Sequence, residues 1–151
     1  MRGRQALVGS VGLLLALAAI SAQEKPSFTG RWVLVSPAEG AGQEHTITQD
    51  AATLTTGHAS EGGGHGMVYK LDGTESRNVR VSHGSDIVTV SKASWNGNQL
   101  TITSETTYPD SRKRHVNEVW SLGGDNRLVV EFTETWLGAS PRTTKFVYAR
   151  R

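Results

Sequence analysis

The feature that most constrains the fold of this 151-residue chain is a run of four alternating segments between Asp86 and Trp136. The segments are Asp86 to Trp95, Asn98 to Tyr108, Arg114 to Leu122 and Arg127 to Trp136. Short turn signals join them: Asn96-Gly97, then Pro109 to Lys113, then Gly123-Gly124-Asp125-Asn126. An Asn-Gly pair between two alternating runs is a strong hairpin signal, because tight hairpin turns need positive φ. The segments therefore read as a four-strand antiparallel meander.

Period-2 alternation divides the meander into two faces. Leu100, Ile102, Val116, Trp120, Leu122, Leu128, Val130, Phe132 and Trp136 share the apolar face. Thr101, Thr103, Glu105, Thr107, His115, Asn117, Ser121, Glu131, Thr133 and Thr135 share the polar one. That is the pattern of an antiparallel sheet with one solvated side. A turn at 96–97 pairs Ala93 with Leu100, Ser91 with Ile102 and Thr89 with Ser104. A turn centred near 125 pairs Trp120 with Val130 and Glu118 with Phe132. The simplest joining of the two hairpins sets Leu100 beside Leu122 and Ser104 beside Glu118. Carried across the last loop, the same register puts Phe146 beside Phe132, Tyr148 beside Val130 and Arg150 beside Leu128.

Residues 1–22 read as a secretory signal peptide. Arg2 and Arg4 form a basic start, Val11 to Ile20 is apolar, and Ile20-Ser21-Ala22 offers small residues for cleavage before Gln23. The apolar run is short for a membrane span, so no span is expected in the mature chain. The expected location is secreted or periplasmic. There is no cysteine, so no disulfide contributes to stability. Residues 23–151 then form one domain of ordinary size. Without Arg2 and Arg4, the Lys and Arg count falls from 16 to 14 and equals the 14 Asp and Glu. A neutral chain lacks the electrostatic footprint of a nucleic-acid binder. The one basic cluster, Arg112-Lys113-Arg114, falls in a turn and reads as a solvated loop.

The remaining strands are shorter. They cover Phe28 to Val35, Glu44 to Gln49, Thr53 to Ala59, Met67 to Leu71 and Thr143 to Arg150, with at most a brief strand at Val79 to Val81. No mature segment carries a helical period over ten residues or more. Sequential hairpins at regular spacing imply an all-β fold, an antiparallel up-and-down β-barrel of about 8–10 strands. Closure also removes the exposed edges that long Thr- and Val-rich strands would present.

Phe28-Thr29-Gly30-Arg31-Trp32 resembles the Gly-x-Trp opening of lipocalin-like barrels. The Tyr69 to Gly73 segment, the Trp95 to Asn98 turn and the Val119 to Leu122 strand extend the likeness to short secreted bacterial lipocalin-like proteins of unknown function. The resemblance implies a lipocalin-like barrel. It also implies that Trp32 packs at the closed end beneath a late arginine, here Arg150.

Functional candidates follow from the inward phase. Glu118 and Glu134 fall on the apolar face as diagonal neighbours, where a carboxylate needs a partner or water. They suit a polar anchor in a ligand cavity better than the acid and base of a hydrolase. Trp32, Tyr69, Ser104, Glu118, Trp120, Phe132, Glu134, Phe146 and Tyr148 are the candidate lining of an interior site for a small apolar molecule. The alternative is a barrel packed solid by its own side chains, serving as a structural or interaction module. His58 and His65 flank Glu61 in the glycine-rich connection, but this spacing matches no metal motif. His45, His83 and His115 read as isolated and exposed. No nucleophile elbow, zinc-protease helix, P-loop or dinucleotide fingerprint is present, so neither a catalytic residue nor a cofactor is assigned.

Overall fold

The computed structural model describes residues 24–58 and 66–151. The expected signal peptide at 1–22 and two of the three residues in the glycine-rich histidine cluster, Glu61 and His65, lie outside the described residues. Ten strands run in chain order: β1 (Gly30–Ser36), β2 (Glu44–Gln49), β3 (Thr53–His58), β4 (Gly66–Lys70), β5 (Glu75–Ser82), β6 (Ser85–Asn96), β7 (Gln99–Thr107), β8 (Lys113–Gly123), β9 (Arg127–Trp136) and β10 (Arg142–Arg150). All pairings are antiparallel, and the sheet order is β4-β3-β2-β1-β10-β9-β8-β7-β6-β5. This is an up-and-down sheet curled into a nearly closed barrel.

The polar stretch from Thr74 to Ser85 departs from expectation. It forms a full strand, β5, paired with β6 from Glu75↔Lys92 to Ser82↔Ser85. Val79 and Val81 point outward and stay exposed, so the stretch lacks the apolar signal of its neighbours. Two side chains of β5 complete the barrel. β4 and β5 share no backbone ladder. Instead the Val68 amide donates to Asn78 Oδ1 (2.9 Å), and Asn78 Nδ2 donates to the Val68 carbonyl (3.0 Å). The Lys70 amide donates to Ser76 Oγ (2.7 Å). Asn78 thus offers β4 the donor and acceptor of a peptide group, satisfying an otherwise open edge.

Faces are as the alternation requires, but three registers differ from the simplest reading. The β6–β7 turn is Gly97-Asn98, closed by Asn96↔Gln99, so Ala93 pairs Ile102 and Ser91 pairs Ser104. Gly97 has φ +59, as the first position of a type II′ turn requires, and Asn98 does not share the positive φ. Across the 108–112 turn, Leu100 meets Trp120 and Ser104 meets Val116. Between β9 and β10, Phe146 meets Val130 and Tyr148 meets Leu128. Only the β8–β9 register, Trp120↔Val130 and Glu118↔Phe132, stands as read. Glu118 therefore sits in a row with Ala93, Ile102, Phe132 and Thr144, not with Thr89 and Ser104. Each error is two residues, which conserves parity and therefore the face.

One end of the barrel is packed solid. Phe28, Trp32, Leu54, Leu100 and Ile102 are 0% exposed there, and Leu128 is 1% exposed. Phe28 stacks on Trp95 at 5.8 Å and meets Trp120 edge-on at 5.7 Å. Trp32 Nε1 donates to the Phe28 carbonyl at 2.8 Å, and the Arg150 guanidinium lies 4.6 Å over the Trp32 ring. Gly30 adopts φ +154, with the Trp32 indole and Arg150 against the position a Cβ would take. The Gly-x-Trp opening thus folds the lead-in segment under the barrel floor.

Asn78→Ala is expected to cost about 1–2 kcal/mol, the loss of two hydrogen bonds at an exposed edge. It should also speed amide exchange at Val68. Urea midpoints and exchange rates check this, with the exposed Val79→Thr as a control expected to fall within about 0.5 kcal/mol of wild type.

Candidate functional site

The inner wall changes character from floor to rim. At the floor, Trp32, Tyr69 and Trp120 are buried within the packed cluster. Toward the end carrying the 37–43, 108–112 and 137–141 turns, Ser104, Glu118, Phe132, Glu134, Phe146 and Tyr148 are only half-buried, though all lie in the inward phase. Phe132 and Phe146 meet edge-on at 5.8 Å, and Phe146 lies 6.5 Å from Tyr148. These three rings form an apolar patch on the inner wall toward the rim. Inward hydroxyls on β6 and β7 satisfy each other: Ser91 with Ser104 at 2.8 Å and Thr89 with Thr106 at 2.9 Å. The structure therefore separates the nine sequence-derived residues into a floor group of three and a wall group of six.

Glu118 lies at the centre of the lumen's electrostatics. Its carboxylate accepts a 2.6 Å hydrogen bond from Trp120 Nε1. Burial raises its pKa, and this outweighs the opposing pull of the Trp120 bond and the Arg114 charge. Two phenols from other strands respond to it. Burial and then the Glu118 charge push Tyr148 up to about 12, and the same two causes raise Tyr69. Glu118 on β8 is thus read electrostatically by β4 and β10 across the barrel.

Arg114 was hidden in the sequence by its basic neighbours. It shares the inward phase of Val116, Glu118 and Trp120, and its guanidinium turns into the rim rather than to solvent. It pairs with Glu134 at 2.9 Å and lies 5.3 Å over Phe132 and 5.8 Å over Trp136. Arg112 joins the same rim, 5.8 Å from both Tyr108 and Trp136, whose rings stack at 5.4 Å. The Arg112-Lys113-Arg114 cluster therefore divides. Lys113 points outward to Glu105 at 2.6 Å, while the two arginines cap the rim aromatics.

His45 is also misplaced by a reading as isolated and exposed. It shares the inward phase of Ile47, is half-buried, and lies directly opposite His58 in the β2–β3 ladder. Its ring centroid is 4.1 Å from His58 and 5.0 Å from Tyr148, edge-on to both. Burial, followed by the His58 charge, lowers its pKa to about 4. The phase shared with Ile47 and Gln49 was the available signal. His83 and His115 are exposed, as expected. On the outer face, a groove of about 400 Å³ runs over β6 to β9, with Lys92, Thr103, Glu105, His115, Asn117 and Thr133 among its lining residues.

No family model matches the chain, and no curated protein matches it significantly. Among solved structures, human cRBP IV is 16% identical, with a TM-score of 0.56 over 83% of this chain and 99% of its own. Secretory abundant heat soluble protein 4 from Ramazzottius varieornatus is 14% identical, covering 82% of this chain and 94% of its own at a TM-score of 0.45. The first likeness places the fold among lipocalin-like barrels, as the Gly-x-Trp opening implied.

Two pH dependences follow. With its folded pKa raised, Glu118 holds its proton more tightly in the native state, so stability is lost as pH rises from the unfolded carboxyl range through the folded value. Glu118→Gln removes that loss. Its melting temperature should exceed wild type at pH 8 and converge with it near pH 4; equal destabilisation at both would contradict this placement. His45 acts in the opposite sense. Its folded pKa is depressed, so its contribution is intact above the ordinary histidine value of 6.5 and is lost as pH falls toward about 4. Urea midpoints of His45→Gln should decline less than those of wild type between pH 6.5 and 4.

Proposed function

We propose that this barrel is a non-catalytic binder of a small, largely apolar molecule held in the half of the lumen next to the rim. One observation carries the reading: inward-facing Phe132, Phe146 and Tyr148 are half-buried, whereas Phe28, Trp32, Tyr69, Trp120 and Leu128 at the floor are 6% exposed or less. The rings toward the rim are thus less closely packed than those at the floor. Apolar walls with a few convergent polar groups are the usual composition of a ligand site. Here Glu118, Tyr148 and the Arg114–Glu134 pair supply the polar groups. Glu118 and Glu134 are each engaged by a partner, the first by Trp120 and the second by Arg114, which favours a binding wall over a hydrolytic pair.

The same reading puts this binder in the periplasm or outside the cell. Support comes from the Arg2 and Arg4 start and the short apolar run that follows. N-terminal sequencing of the exported chain should begin at Gln23.

A second reading rests on the outer groove over β6 to β9, whose Thr, Asn, Glu and His lining suits contact with a polar partner. The two readings separate in one titration. An apolar fluorophore should bind with a dissociation constant well below about 1 mM, quenching the Trp120 and Trp136 emission. Phe146→Arg places a charge in the lumen and should weaken binding at least tenfold with an unchanged circular dichroism spectrum. Thr133→Arg, in the outer groove, should leave it unaltered. The reverse pattern would put the ligand outside the barrel, and no binding below the millimolar range would remove the lumen reading.

A further inference from the structure

Resting on the lumen reading above, we propose that the molecule bound there carries an ammonium head, a protonated amine on an otherwise apolar body, and that Glu118 is its counterion. A carboxylate withdrawn from water is ordinarily paired with a cation. Glu118 faces inward, in a row with Ala93, Ile102, Phe132 and Thr144. Its Oε2 accepts from Trp120 Nε1 at 2.6 Å, a neutral donor, and among the described residues no hydrogen bond engages Oε1. The one cation acting on it is Arg114. That guanidinium is committed to Glu134, with both Nε and Nη2 2.9 Å from Oε2. Burial outweighs the Trp120 bond and the Arg114 charge and raises the Glu118 pKa, as expected of a carboxylate with too little counter-charge.

The surroundings suit an ammonium group. Phe132 lies directly opposite Glu118 in the β8–β9 ladder, and Phe132, Phe146 and Tyr148 follow one another at 5.8 Å and 6.5 Å. This run of rings leads from the carboxylate to the Tyr148 phenol. Tyr148 on β10 and Tyr69 on β4 both respond to the Glu118 charge, so each hydroxyl is within electrostatic reach of it. Among the described residues no enclosed side-chain nitrogen or oxygen lacks a hydrogen bond, yet neither phenol makes one. Each hydroxyl therefore borders space that water reaches. An ammonium has three N–H donors and no acceptor. The carboxylate and the two phenolic oxygens are matching acceptors, and the aromatic faces attract a cation. A carboxylate head is repelled by the Glu118 charge, and an alcohol leaves that charge uncompensated.

The test uses tag-free full-length protein at pH 7.5, titrated calorimetrically with 1-decylamine, 1-decanol and decanoate, three heads on one chain. Decylamine should bind about tenfold or more tighter than decanol, with decanoate the weakest. Glu118→Gln keeps the shape and removes the charge, and should bring the amine to within about threefold of the alcohol. Glu131→Gln removes an exposed carboxylate from the outer face of β9 and should preserve the amine preference. Wild-type protein gives a second readout that needs no variant. The apparent pKa of Glu118, followed by carbon-13 NMR of labelled glutamate carboxyls, should fall when decylamine is added and not when decanol is. An amine preference retained in Glu118→Gln, an unmoved Glu118 titration, or decanol or decanoate bound as tightly as decylamine would each overturn the inference and leave the lumen reading standing. No binding below the millimolar range by any of the three would remove both.

Discussion

The contact between Trp32 and its three neighbours underlies most of this architecture. Its indole N–H anchors the Phe28 carbonyl and its face receives Arg150, while Gly30 leaves room beneath it. That one side chain joins the lead-in segment, the first strand and the last strand. In a barrel without disulfides, the first and last strands must be held together by their ladder and by such packing. Phe28 is pinned by the same hydrogen bond and extends the floor through stacking on Trp95 and an edge contact with Trp120. The five rings nearer the rim, Tyr108, Phe132, Trp136, Phe146 and Tyr148, are half-buried instead.

The rim half of the inner wall is more polar and less buried than the floor. Half-buried carboxylates are tolerated there because each has a local partner: Trp120 for Glu118 and Arg114 for Glu134. Glu118 nevertheless holds a raised pKa and raises the tyrosines facing it. The histidine pair at the rim has the same origin, a polar residue in an inward phase where the wall is no longer apolar.

The barrel closes by unequal means. Nine interfaces are backbone ladders and the tenth is a seam made by Asn78 and Ser76. A side-chain amide can replace a peptide group at one position, but it does not propagate register. That leaves β4 and β5 joined more weakly than any other neighbouring pair. It also explains why β5 was hard to see in the sequence. Its inward residues are Ser76 and Asn78 rather than apolar ones, and its valines face solvent.

Alternation by itself determined which face each meander residue occupies, because the side-chain period of a strand is 2 whatever its partner. Trp120, Leu128 and Val130 are buried, and Thr103 and His115 are exposed, on that ground alone. The barrel topology and the Trp32–Arg150 contact were legible too, the first from sequential hairpins and the second from the Gly-x-Trp opening. Pairing was not, because it depends on where each turn closes. Moving the turn from Asn96-Gly97 to Gly97-Asn98 shifts every β6–β7 partner by two residues and changes no face. Nor were the partners of Glu134 and His45 legible, since Arg114 and His58 come from other strands and meet them only through cross-strand register. Local chemistry sets the phase of each strand; only the closed sheet, by fixing the stagger between strands, decides which inward side chains share a row.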